Sequence, residues 1–137
     1  DRNLIFRQIP RRYCMLVRAH STAGYSSLIS HAISYIDFHF DDEDLSLKQI
    51  ASVLAVNKSY LSTLFRQETG STLTAHIPPI RMENAVYLLN TTPHSLQDIA
   101  NFCGISDLNY FIRLFKKHTG RTPGKYRETI LRKNREL

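Results

Sequence analysis

Residues 95–127 read SLQDIANFCGISDLNYFIRLFKKHTGRTPGKYR. Two short helical patterns lie in this stretch. The first runs from Leu96 to about Phe102 and the second from about Asp107 to His118, parted by a turn at Cys103-Gly104-Ile105-Ser106. In the second pattern Phe111, Leu114 and Phe115 fall at i, i+3 and i+4, which is one face of a helix. Asn109, Ile112, Arg113 and Lys116 share the opposite face. Gly120 follows as a left-handed cap. Two helices joined by a short turn containing Gly form a helix-turn-helix, a motif whose second helix reads a DNA major groove.

The same design occurs earlier. Residues 46–72 read SLKQIASVLAVNKSYLSTLFRQETGST. At an offset of 49, Ser46, Leu47, Ile50 and Ala51 match Ser95, Leu96, Ile99 and Ala100. At an offset of 50, Tyr60, Leu64, Phe65, Thr69, Gly70 and Thr72 match Tyr110, Leu114, Phe115, Thr119, Gly120 and Thr122. One residue is therefore inserted at the second turn. Identities in this order, mostly at core-facing positions, mark a duplicated structural unit.

Working outward, Ser27 to Phe40 is an amphipathic helix, with Ile29, Ile33, Ile36 and Phe40 on one side beside Ala32. His31 and His39 on it have no ligand partners at metal-binding spacing. Asp41-Asp42-Glu43-Asp44 lacks the Gly and terminal Glu of a calcium loop and reads as a solvated loop, expected to lie away from DNA. Ser46-x-x-Gln49 and Ser95-x-x-Asp98 both resemble capping boxes. At such starts the first helix of the motif crosses the DNA backbone, where its amides can meet a phosphate. The first recognition candidate spans Lys58 to Glu68, with Asn57 as its N-cap. Ser59, Ser62, Thr63 and Arg66 point outward together, and their short hydroxyls discriminate bases weakly. In the second candidate, Arg113 can pair with guanine, Asn109 with adenine, and Ile112 can touch a thymine methyl. Lys116 and Lys117, further along, suit phosphates.

Ile80, Ala85, Leu88 and Leu89 give a helical pattern up to Asn90. Pro78 and Pro79 interrupt it, since each removes a hydrogen bond and clashes with the preceding turn, at a cost of about 3 kcal/mol or more. The local chemistry predicts a break, with the long helix starting near Pro79, where proline suits the first helical position. Residues 126–137 read as a basic helical tail that frays at its end. Residues 1–26 carry Arg2, Arg7, Arg11, Arg12 and Arg18 around Pro10 and read as a connector. Because the chain starts with Asp1 rather than Met, we expect a piece of a longer protein with a sensing domain elsewhere.

The formal charge of the 137-residue chain is +6, which favours polyanionic partners. From Leu108 to Leu137 nine Lys or Arg oppose two acids, whereas from Asp41 to Gly70 three oppose five. Cys14 and Cys103 lack metal-ligand or redox spacing, and Cys103 reads as a small buried hydrophobe in a reducing cytoplasm. No apolar run is long enough to span a membrane. There is no phosphate-binding Gly loop, no paired metal-binding His and no nucleophile-base pair, so no catalytic residue, metal or cofactor is expected and an enzyme is not indicated.

IASVLAVNKSYLSTLFRQETGSTL and, more specifically, IANFCGISDLNYFIRLFKKHTGRTPGKYR resemble the AraC/XylS family of bacterial transcription regulators. The resemblance covers about Leu28 to Arg127. It implies an all-α, homeodomain-like fold of two helix-turn-helix lobes joined by a linker helix. The expected divisions are 27–72 for the first lobe, 73–92 for the linker and 93–137 for the second. It implies two recognition helices in successive major grooves, with base contacts carried onto Ser59, Ser62, Thr63, Asn109, Ile112 and Arg113. Backbone contacts are expected from Ser46, Lys58, Arg66, Ser95, Lys116 and Lys117. The family's linker helix runs through the positions of Pro78 and Pro79, against the local reading. Duplex DNA is the expected partner, with RNA polymerase implied for activation and dimerisation through a missing domain. The alternative is a protein-interaction module that keeps the fold without reading DNA by itself.

Overall fold

The computed structural model describes residues 24–136, so the residues before Gly24, most of the expected connector, lie outside it. The described residues form helices and turns only. These are α1 (Ser27–His39), α2 (Leu47–Val53), α3 (Lys58–Thr69), α4 (Leu73–Thr91), α5 (Leu96–Phe102), α6 (Leu108–Thr119) and α7 (Pro123–Glu136). The pairs α2–α3 and α5–α6 are the two helix-turn-helix units.

The duplication holds down to single hydrogen bonds. Asn57 caps α3 by accepting from the amides of Ser59 and Tyr60, and Asp107 caps α6 by accepting from those of Asn109 and Tyr110. Each such cap is worth about 1 kcal/mol. Gly70 and Gly120 end these helices in the left-handed region. The Thr69 and Thr119 hydroxyls donate back to the Phe65 and Phe115 carbonyls at 2.8 and 2.9 Å. Phe65 and Phe115 are completely buried. Each meets an aromatic ring edge-on, His76 at 5.4 Å and Tyr126 at 5.5 Å. The offset of 50 therefore continues past the motif, and the start of α4 plays in the first lobe the part that α7 plays in the second.

The predicted break at Pro78 and Pro79 does not occur. Both prolines lie inside α4, which is one helix of 19 residues. The carbonyls that lose their intrahelical donors belong to Thr74 and Ala75, both exposed, so water can take the vacated bonds. Burial then outweighs local preference. Leu73, Ile77, Ile80, Asn84 and Leu88 are buried along one stripe, and Met82, Ala85 and Leu89 along another, about 130° round the helix at its regular pitch. A helix buried on two sides in this way is a bridge between cores. It packs against α1 and α3 of the first lobe and α5, α6 and α7 of the second.

Two arginines fasten the bridge. Arg81 donates through Nε to the Phe40 carbonyl at 3.1 Å and through Nη2 to the Asp42 carbonyl at 2.8 Å. Burial lowers its pKa from the ordinary value, and the nearby acidic groups pull the other way. Arg127 of α7 donates to the Thr92 and His94 carbonyls, closing the end of α4 onto the second lobe. The acidic loop is more than solvated, because it is the joint between lobes. The Asp42 carboxylate accepts from Gln49 Nε2 at 3.0 Å and the Asp44 amide at 2.9 Å, and Glu43 accepts from the Ser106 hydroxyl at 2.6 Å. Gln49 is thus turned to Asp42 rather than back to Ser46, leaving only half of the first capping box.

Candidate nucleic-acid interface

In the first lobe, Lys58, Ser59 and Thr63 are exposed and Ser62 is half-buried. Together with Leu47, expected only as a repeated position matching Leu96, they line a shallow groove of about 290 Å³ where the start of α2 meets α3. The expected residues are thus brought together, and Arg66 lies exposed one turn beyond Ser62 and Thr63. Ser46 accepts the Gln49 amide at 3.2 Å, and Ser95 accepts the Asp98 amide at 3.1 Å. Both hydroxyls therefore cap helices and keep their own hydrogen to donate.

In the second lobe, Asn109, Arg113, Lys116 and Lys117 are exposed along α6. Ile112 is half-buried, so its position is less open than the helical wheel predicts. Phe111 and Phe115 anchor the opposite face in the core with no exposure. The helix cannot roll without lifting both rings into water, at about 1.5–3 kcal/mol each. Its entry is held as well. Gln97 Nε2 of α5 donates to Asn101 at 3.0 Å and to the Ser106 carbonyl at 3.3 Å, tying α5 to the turn before α6.

The turns differ in a way that sequence alone does not show. Ala55 and Gly104 occupy the same left-handed place, with φ of 56° and 84°. Ala55 is exposed, whereas a Cβ on Gly104 would lie 2.6 Å from the Phe40 carbonyl oxygen. The turn of the second lobe is therefore pressed against the first, where Phe40 also meets Phe102 edge-on at 6.0 Å. Cys103 in that turn is fully buried, as a small apolar residue. Among the described residues, no group of three or more His, Cys, Asp or Glu is placed to hold a metal, and no helix is long and apolar enough to cross a membrane.

A rigid pair of helix-turn-helix units with polar outer faces defines a class of nucleic-acid-binding domain. A family model described as a helix-turn-helix domain matches residues 50–129. The HTH-type transcriptional regulator YtdP of Bacillus subtilis (strain 168) is 35% identical over 112 residues, which are 82% of this chain and 14% of that protein. The chain therefore spans a small part of that relative's length. Among solved structures, the C-terminal domain of the response regulator AraT from Geobacillus stearothermophilus shares 36% identity at a TM-score of 0.75, covering 78% of this chain and 88% of that one. A transcriptional regulator with an AraC-type DNA-binding domain from Chromobacterium violaceum shares 27% identity at a TM-score of 0.68, covering 75% and 91%. The chain belongs to the AraC-type helix-turn-helix family and is a DNA-binding domain of a transcription regulator.

Proposed function

We propose that this domain reads duplex DNA by sequence, with α3 and α6 in successive major grooves about 10 bp apart on one DNA face. The observation that carries this reading is the duplicated frame with different outer faces. Caps, glycine stops and buried phenylalanines repeat, while Ser59, Ser62 and Thr63 on one helix give way to Asn109, Ile112 and Arg113 on the other. Arg113 and Asn109 supply bidentate base recognition. The hydroxyl set of α3 reads with less selectivity, through water and shape. Ser46, Lys58, Arg66, Ser95, Lys116 and Lys117 meet phosphates and fix register. The domain binds rather than catalyses and works in the cytoplasm, with contact to RNA polymerase made through exposed surfaces of the lobes and dimerisation through a further domain.

Site selection from a random duplex library at two salt concentrations tests the reading. A bipartite site with halves one turn apart supports it. A single half-site assigns recognition to α6 alone. No enrichment even at low salt, with salt-insensitive binding to a protein instead, sinks it. On the selected site, Arg113→Ala costs about 1–3 kcal/mol and relaxes selectivity at one position. Equal weakening of every sequence removes Arg113 from the base-reading set.

A further inference from the structure

Where α6 ends and α7 begins, a cleft of about 520 Å³ is lined by Lys116, Arg121, Lys125 and Arg132, with Glu128 and Thr129 among them. Four cations face one carboxylate. Such a cluster could be an ordinary solvated face, and the first lobe provides the internal control. At the offset of 50, the four cation positions are held there by Arg66, Ser71, Ala75 and Met82. Met82 is buried where α4 bridges the lobes, so the comparison rests on the other three positions, all exposed, where the two frames are alike. Thr72 and Thr122 start the following helices by accepting from Ala75 and Lys125 at 3.1 and 3.4 Å, and Thr69 and Thr119 close the preceding ones. The architecture stands in the first lobe with one of these charges, so four are not needed to build it.

The charges are also arranged. Arg121 Nη1 donates to the Thr129 hydroxyl at 3.3 Å, which holds its side chain across the cleft toward α7. Glu128 stands four residues before Arg132 and three after Lys125, on the same face of α7, and a single carboxylate leaves the cleft net positive. Lys116 lies one turn beyond Arg113 on α6, so the cleft continues the base-reading face. We infer that this cleft seats a phosphate of the DNA backbone just outside the half-site read by α6, giving the second lobe an anchor that the first lobe lacks. The inference rests on the DNA-reading function proposed above. A planar guanidinium fork matches a phosphate's oxygens, and two forks plus two ammonium groups suit that ligand better than a single carboxylate.

The test uses the whole chain and duplexes carrying its selected site, beside a random-sequence duplex. Arg121→Ala with Arg132→Ala is compared with Lys133→Ala with Arg135→Ala, which removes equal charge from exposed positions of α7 outside the cleft. Far-UV circular dichroism checks that both remain folded. The cleft variant is expected to weaken specific and random duplexes by the same factor. Its plot of log affinity against log salt becomes shallower by about one for one phosphate released. Ethylation of single phosphates is expected to interfere with wild-type binding at the outer flank of the α6 half-site, and this signal disappears in the cleft variant alone. If the cleft and control variants give equal slopes and the same interference pattern, the inference is overturned and the cleft faces a protein or solvent. If wild-type protein itself shows no salt-dependent duplex binding, the DNA reading fails first, and both fall.

Discussion

The two lobes are built on one frame and differ at their turns. In the first, the chain passes from α2 to α3 through Ala55, whose methyl stands in solvent. In the second, it passes from α5 to α6 through Gly104, against the backbone of Phe40. The inserted residue of the duplication falls in this same turn. Val56 matches Ile105 and the caps Asn57 and Asp107 match each other, which leaves Ser106 over, and Ser106 donates to Glu43 of the first lobe. A repeat can thus be copied whole, while the one place where the copies differ in length adds a contact between them.

The largest effect is expected where the turns contrast most. Gly104→Ala combines a left-handed backbone with a collision against a carbonyl oxygen, and is expected to destabilise the domain by about 2–4 kcal/mol in urea unfolding. Ala55→Gly, at the matching place, changes stability by no more than about 1 kcal/mol. Similar costs at both positions would remove the close approach to Phe40 as the cause. Next, Arg81→Ala removes the guanidinium from the Phe40 and Asp42 carbonyls, the second of which keeps the Leu45 amide, and is expected to cost about 1.5–3 kcal/mol, the range for hydrogen bonds to a charged group. Binding to a bipartite duplex falls further than binding to an isolated α6 half-site, as measured by titration on both. An equal loss on the two duplexes means Arg81 supports folding alone.

Smaller effects sharpen the same contrast. Ser106→Ala removes one hydrogen bond between lobes and costs about 0.5–1.5 kcal/mol in the same unfolding measurement. A neutral result assigns the inserted residue to turn geometry rather than to the joint. The smallest effect is at Asp42, whose pKa is lowered from 3.8 chiefly by the hydrogen bond from Gln49 and then by that from the Asp44 amide. A lowered carboxylate pKa stabilises the fold above the unfolded value, and the contribution is lost as pH falls through the folded value. Asp42→Asn is therefore expected to be slightly less stable than wild type at neutral pH, with the gap closing as pH drops below 3.8. The group is largely solvated, which keeps the gap small. A gap that widens in acid reverses the assignment.

Much of this frame was legible in the residues. Asn57, Gly70, Ser95 and Gly120 act within three or four positions of themselves, so their cap roles follow from local chemistry, and the outward faces of α3 and α6 follow from helical spacing. The continuity of α4 was hidden because it is decided by distant partners. Pro78 and Pro79 speak against a helix locally, and burial of Ile77, Ile80 and Met82 between two lobes answers them. Arg81 reaches carbonyls about forty residues away, which no periodicity reports. At the candidate interface, Ile112 read as exposed because a wheel shows direction without neighbours. The cleft of α7 went unseen because Arg121, Lys125 and Arg132 look like scattered basic residues until the turn at Gly120 gathers them.

The unbroken α4 turns distance along DNA into angle. Each base pair added between two half-sites rotates the second by about 34° around the duplex axis and moves it about 3.4 Å away. A linker with a joint could follow such a change. One fastened at Arg81 and again at Arg127 has no joint to bend, so for a reader of two half-sites a single extra base pair is a phase error. For such a reader, spacer length is expected to be read as strictly as the bases on either side of it.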